Sequence, residues 1–166
     1  MLTDAGALEG RDRALHDAFA AHYEALMRLG VAVSGSREVG EDLAQEAFLR
    51  AARKIPSLGG TEVRPYLRKT VIDLWRNRLR RYAIERRHPT TTLPTPTEHG
   101  NDDHEAFWIA VRKLAPRQRA CLVLRYYEDL SEIQTAQIMG FSVGTVKSQT
   151  SRALEHLRKE LDDGTG

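Results

Sequence analysis

Apolar residues recur every three or four positions along most of this 166-residue chain, the spacing typical of helices that bury one face. Residues 89–104 lose this periodicity and contain three prolines. We therefore expect an all-α protein of two small helical domains joined by a flexible linker. The predicted helices are one that ends near Gly35, one from about Val39 to Lys54, one from about Val63, one over 107–114, one that starts near Pro116, and a pair over 129–157.

The same pattern divides the chain into five parts. The first ten residues are predicted to be weakly structured. The expected parts are an N-terminal lead at 1–14, a first domain at 15–88, the linker at 89–104, a second domain at 105–161 and a tail at 162–166.

The final pair of helices reads as a helix-turn-helix. Ser131 can cap the first helix while Gln134 returns the hydrogen bond, a reciprocal capping box. Gly140 supplies the left-handed residue that ends this helix, and Ser142 can cap the second, with Phe141 placed to staple its entry. Two capped helices would thus meet across three residues.

The second helix of this pair has two distinct faces. Its apolar positions should face the core: Val146, Thr150, Ala153, Leu154 and Leu157. Its outward positions carry donors and amides with no acid before Glu155: Lys147, Ser148, Gln149, Ser151 and Arg152. Lys and Gln are residue types that read DNA bases, so the outward face predicts a DNA groove reader. The alternative is a hairpin that only packs, as occurs in other all-helical proteins.

A strongly basic segment lies within a chain whose formal net charge is only +2. From Arg64 to His88, nine basic residues stand against Asp73 and Glu85, a net charge of +7 that leaves −5 for the rest. Such a basic patch usually binds phosphate groups, although a helix face that is only solvated is the simpler alternative.

Aromatic residues interleave with these basic ones. Tyr66, Trp75 and Tyr82 could stack on unpaired bases. Trp75 also lies at helical spacing with Ile72 and Leu79, so it could equally be a core residue.

Other function classes find little support. Cys121 sits alone in an apolar run and is expected to be buried, and the six histidines lack the spacing of a metal site. No nucleophile with an adjacent base and no phosphate loop point to an enzyme, and no cofactor is expected. No run approaches the roughly 18 apolar residues of a membrane span, and the first ten residues lack a signal-peptide pattern. We expect a cytoplasmic protein without membrane insertion.

Three groups of motifs resemble the sigma factors of bacterial RNA polymerase, in the minimal extracytoplasmic-function group that keeps only regions 2 and 4. Residues 42–48, Asp-Leu-Ala-Gln-Glu-Ala-Phe, resemble the region 2 signature, and residues 64–81 resemble the promoter-melting helix. Residues 114–119, 124–131 and 142–148 resemble region 4. The resemblance covers about residues 15–160 and is close to a branch common in actinobacteria.

The resemblance implies roles for individual residues, which we state as expectations. A core-polymerase docking face would consist of Asp42, Gln45 and Glu46, which the i, i+3, i+4 spacing places on one side of a helix. The residues expected at the minus-ten element are Arg64, Arg68, Lys69, Asp73, Trp75, Arg76, Asn77, Arg80 and Arg81. Those expected at the minus-thirty-five element are Ser142, Thr145, Lys147, Ser148, Gln149 and Arg152. The implied partners are core RNA polymerase, promoter DNA and an anti-sigma protein that would cover these faces.

Three residues depart from the family pattern. Members commonly have Asn where Asp73 stands and Asp where Asn77 stands, so this chain places an extra carboxylate among its cations. Many members have Arg where Gln149 stands, and Gln prefers adenine whereas Arg prefers guanine. We expect altered specificity at both promoter elements.

A stand-alone transcription regulator is the competing hypothesis. In it, residues 106–161 would bind an operator and the front half would dimerise or sense a signal. The acidic face at 42–46 and the +7 segment favour the sigma-factor hypothesis, because a dimeric sensor has no evident use for either.

Overall fold

The computed structural model describes residues 2–85 and 102–163, with side chains over 6–84 and 105–163. These ranges contain helices and no strand, so the all-α prediction is confirmed. The helices are α1 (Leu2–Ser34), α2 (Arg37–Ala51), α3 (Gly60–Glu85), α4 (Asp102–Lys113), α5 (Pro116–Leu122), α6 (Glu132–Met139) and α7 (Val143–Asp163). A 3₁₀ turn at Ile55–Ser57 follows α2, and a π-helical turn at Val123–Tyr127 follows α5.

The largest departure from the prediction is at the N-terminus. The weakly structured lead is wrong, because α1 starts at Leu2 and runs unbroken to Ser34. Residues 6–13 are exposed, so they need no apolar periodicity, and their Ala, Leu, Glu and Arg residues favour helix enough to continue it through Gly6 and Gly10. Most of the predicted linker, and its boundary with the first domain, lie outside the described residues.

Helices α1 and α2 cross with their backbones in contact. A Cβ on Gly30 would lie 2.8 Å from the Cα of Gly40, so no larger residue fits at this crossing. Gly35 takes a left-handed φ of 75° to turn the chain between the helices, and the Ser36 side chain caps α2 by accepting from the Val39 N–H at 3.3 Å. The sharp turn sets α2 antiparallel against α1.

The buried face of α2 is the predicted one. All five residues expected in the core are buried: Leu43, Ala47, Phe48, Ala51 and Ile55. They pack with Leu29 and Val33 of α1 and with Leu67 and Ile72 of α3 in one apolar cluster. The opposite side of α2 is left at the surface.

The C-terminal helices extend this same cluster. Val123, Leu124 and Met139 are buried with the residues of α1–α3, whereas Val111 and Leu157 belong to a smaller cluster under α4 and α7. The two halves of the chain therefore share a core.

Candidate functional site

The predicted helix-turn-helix forms with the predicted caps. The Gln134 N–H donates to the Ser131 hydroxyl at 3.1 Å, and the Ser131 N–H donates to the Gln134 side chain at 2.9 Å. Gly140 has a left-handed φ of 66°. Ser142 caps α7 by accepting from the Thr145 N–H at 3.1 Å. The turn is thus fixed at its α6 end by Gly140, whose N–H donates to the Ala136 carbonyl, and at its α7 end by the Ser142 cap.

One face of α7 is buried and the other is open. The five side chains predicted to face the core are all buried or half-buried: Val146, Thr150, Ala153, Leu154 and Leu157. Lys147, Ser148 and Arg152 are exposed, and Gln149 is half-buried beside them. Lys147 Nζ lies 3.7 Å from a carboxylate oxygen of Glu132 on α6, an exposed pair that DNA phosphate could replace.

Helix α3 presents most of the predicted minus-ten residues at its surface. The exposed ones are Arg64, Lys69, Asn77, Arg80 and Arg81, and the half-buried ones are Arg68, Asp73 and Arg76. Arg86 and Arg87, which contribute to the basic segment, lie outside the described residues. The surface cations along α3 are called the basic stripe: Arg64, Arg68, Lys69, Arg76, Arg80 and Arg81.

Trp75 does not belong to that stripe. Its side chain is 2% exposed and packs in the main apolar cluster, and Tyr66 is half-buried against the same cluster. The core alternative therefore describes Trp75 in this structure, and the base contact expected from it is not available. Trp75 lies at helical spacing between the apolar residues Ile72 and Leu79. Burial of its large apolar side chain stabilises the folded state, so the core position is favoured.

Asp73, one of the departures from the family pattern, is held by its own helix. Lys69 Nζ lies 2.6 Å from one carboxylate oxygen and Arg76 lies 3.8 Å from the other. The additional carboxylate thus neutralises part of the charge that two neighbouring cations would offer to phosphate.

The predicted acidic face of α2 lines a groove of about 530 Å³ against α3. Asp42 and Gln45 are exposed and Glu46 is half-buried. Asp42 lies 3.4 Å from Arg78 of α3, and the polar rim also includes Arg81. The acidic face and the basic helix therefore meet in one continuous surface.

Leu49 also lines this groove and was not predicted from the sequence. Its side chain is 73% exposed, three residues after Glu46 and seven after Asp42, so it shares their face. Helical spacing was the signal that could have found it. Leu49 thus adds one apolar side chain to the otherwise polar surface of this groove.

A second group of residues was not predicted, because their partners are distant in sequence. Glu128 contacts Arg64 and Arg68, about 60 residues away, and Arg119 donates to the backbone carbonyl of Val33. These contacts join the two halves of the molecule.

The comparisons with known proteins agree with this geometry. Residues 18–84 match the family pattern described as Sigma-70 region 2, and residues 104–157 match Sigma-70, region 4. The chain is 34% identical to an RNA polymerase sigma-E factor of Streptomyces antibioticus over 74% of this chain and 70% of the relative. It is 31% identical to the ECF RNA polymerase sigma factor EcfG of Rhodopseudomonas palustris, over 86% of this chain and 82% of that one. The chain belongs to the extracytoplasmic-function sigma factors of bacterial RNA polymerase.

A solved structure gives the same fold for this sigma factor. The Bartonella quintana sigma factor RpoE, crystallised with the anti-sigma factor NepR, matches with a TM-score of 0.72 and 24% identity. The match covers 89% of this chain and 96% of that one. Helices α1–α3 carry the region 2 match and α4–α7 the region 4 match, so the acidic groove and the basic stripe lie in region 2 and the helix-turn-helix lies in region 4.

Two buried groups of the sigma factor have shifted pKa values. Burial raises the pKa of the Cys121 thiol to about 11, so this cysteine stays protonated and unreactive at neutral pH. Burial also lowers the pKa of Arg119 to about 10, which leaves the guanidinium charged at neutral pH. Over the described residues, no cluster of His, Cys, Asp or Glu could hold a metal ion, and no helix is long and apolar enough to cross a membrane.

Proposed function

We propose that this sigma factor divides promoter recognition among three surfaces. The groove that contains Asp42, Gln45, Glu46 and Leu49 docks on core polymerase. The basic stripe of α3 holds the minus-ten element while its strands separate, and the outward face of α7 reads the minus-thirty-five element. Polymerase performs the catalysis, and this chain acts as a cytoplasmic initiation factor without enzymatic activity.

The observation that carries this proposal is the continuity of the acidic groove with the basic stripe. Asp42 and Arg78 lie 3.4 Å apart across α2 and α3, so a partner that binds the groove lies directly beside DNA that binds the stripe. A stand-alone regulator would have no use for such a groove beside the basic stripe.

Run-off transcription with purified core polymerase tests the proposal. The complete chain should direct transcripts from promoters that carry both elements and give none on templates that lack either. Binding to the template without any polymerase-dependent transcript would favour the stand-alone regulator instead.

We also propose an anti-sigma protein as a partner. The support is the Bartonella quintana relative, which was crystallised with one, together with the exposed groove. Affinity purification of the tagged chain from its native host should recover a small stoichiometric partner. Recovery of only polymerase throughout growth would argue for control by synthesis or degradation.

A further inference from the structure

Two predicted minus-ten contacts are already occupied by a carboxylate from region 4. Glu128 follows the π-helical turn, and its side chain is only 4% exposed. Its Oε2 lies 2.7 Å from Arg68 Nε and 3.5 Å from Arg64 Nη2. A carboxylate that contacts two guanidinium groups of the basic stripe occupies the position that a DNA phosphate would take there.

The backbone on either side of Glu128 has an unusual conformation that directs the side chain toward region 2. The chain leaves the π-helical turn with the Glu128 N–H donating to the Val123 carbonyl at 3.0 Å, and Asp129 then takes a left-handed φ of 54°. The next residue, Leu130, donates back to the Leu124 carbonyl at 3.0 Å. Single π turns and left-handed non-glycine residues are uncommon and concentrate at functional positions. Here they direct a carboxylate out of region 4 and onto α3.

Two arginines form further hydrogen bonds across the boundary between the regions. Arg119 of α5, itself buried, donates to the Val33 carbonyl at 2.8 Å and to the Arg112 carbonyl at 2.9 Å. These carbonyls belong to the last turns of α1 and α4, where backbone acceptors lack helical partners and the helix dipole favours a cation. Arg76, another predicted minus-ten contact, donates to the Ile138 carbonyl near the end of α6 at 3.5 Å.

We propose that the free sigma factor is held closed by region 4, which masks the part of the minus-ten face formed by Arg64, Arg68 and Arg76, with Glu128 as a substitute for phosphate. This inference rests on the proposed role of α3 in minus-ten binding. The masking is selective, because Arg64, Arg68 and Arg76 face region 4 whereas Lys147 and Arg152 of α7 remain exposed. The free chain can therefore bind duplex DNA that carries the minus-thirty-five element. It binds the unpaired strand of the minus-ten element poorly until regions 2 and 4 separate on polymerase.

A distance measurement on the complete chain tests the closed state without polymerase or DNA. Spin labels on Ser57→Cys in region 2 and His156→Cys in region 4, both exposed positions, leave the buried Cys121 unlabelled. The expected result is one narrow distance population, which broadens to longer distances in Glu128→Gln. A broad distribution in the otherwise unchanged chain overturns the proposal even if the variant fails to fold.

Glu160→Gln is the matched control. It removes the same charge from region 4, but its partner, Lys113 at 2.6 Å, lies in the same region and the pair is exposed. Glu160→Gln should keep the narrow distance population of the parent chain.

DNA binding by the same free proteins gives the functional readout. Glu128→Gln should bind a short fluorescent single strand on the order of tenfold more tightly than the parent, because a nearly buried competitor for two arginines is gone. It should bind minus-thirty-five duplex as the parent does, and Glu160→Gln should change both affinities by less than about twofold. Equal distances and equal affinities in the two variants overturn the proposal. If the distances respond but single-strand binding does not, the closed state stands and the assignment of α3 to the minus-ten element fails.

Discussion

At the scale of single residues, Asp73 is the departure from the family pattern that has the clearest physical consequence. Its carboxylate lies 2.6 Å from Lys69 and 3.8 Å from Arg76, so it competes with phosphate for both cations. We expect Asp73→Asn to bind minus-ten DNA several-fold more tightly, with a salt dependence steeper by up to about one unit of slope per additional phosphate contact. Affinity titrations at several salt concentrations measure both quantities.

Glu24→Gln is the control for Asp73→Asn. Glu24 lies on α1 and pairs at 3.1 Å with Arg28, an exposed neighbour outside the predicted DNA surface. It should change overall charge equally without changing the salt slope. Identical slopes in Asp73→Asn and the parent chain would mean that Lys69 and Arg76 contact no phosphate.

Gln149 is the second residue-scale test. It is half-buried between the exposed side chains of Lys147 and Arg152, a position from which an amide can reach one base edge. Gln149→Ala should cost about 1–3 kcal/mol at one base pair of the minus-thirty-five element and relax the preference there. A promoter library transcribed by both proteins measures this, with Lys159→Ala, near the far end of α7, as control. A uniform loss at every sequence would instead place Gln149 on the DNA backbone.

At the scale of elements, the basic stripe of α3 should act without regard to sequence. Arg80 and Arg81 are both exposed, and Arg81 also borders the acidic groove. Arg80→Ala should weaken open-complex formation on all promoters and lower its salt dependence, because a phosphate contact is lost. The double variant with Arg81→Ala should do so more strongly. Permanganate footprinting on several promoters measures opening, and a change in base preference would contradict the assignment.

The acidic groove is the other element-scale test. Asp42→Arg combined with Glu46→Arg places new cations beside Arg78 and Arg50, their present partners at 3.4 Å and 2.7 Å. All four side chains are at least partly exposed, so we expect the fold to survive. The variant should lose binding to core polymerase, measured by pull-down, while unchanged helical circular dichroism serves as the folding control. Normal pull-down by the folded variant would exclude this groove as the docking face.

Elements fixed by neighbouring residues could be predicted from the sequence. The capping box of Ser131 and Gln134 and the left-handed Gly140 depend on residues within one or two turns, so their local chemistry suffices. The buried faces of α2 and α7 follow from helical spacing for the same reason. The exposed start of α1 could not be predicted this way, because an exposed helical segment leaves no apolar pattern.

At the scale of the whole molecule, the contacts between regions could not be predicted. Glu128 meets Arg68 across 60 residues, and the π-helical turn with a left-handed Asp129 that aims it has no signature in composition or spacing. Trp75 had two allowed environments until the packing of three helices selected the core. The sequence thus specifies which residues could bind DNA, whereas the tertiary arrangement decides which are free to do so.

His22 allows the stability of this arrangement to be tested through pH. It lies on α1 beside Arg64 and Arg68 of α3 and Glu128 of region 4. Burial, and then the charge of Arg64, lower the pKa of His22 below its ordinary 6.5. The folded protein therefore binds fewer protons here than the unfolded chain, so this contribution to stability is present above pH 6.5 and is lost as the pH falls toward the lowered pKa.

Replacing His22 should remove that dependence. We expect the urea midpoint of the parent chain to fall between pH 7.5 and 5.5 by more than that of His22→Gln, because the variant has no proton to take up at this position. His16→Gln, an exposed histidine on the same helix, should behave as the parent does. Equal losses in His22→Gln and the parent would show that protonation of His22 does not cause the loss of stability in acid.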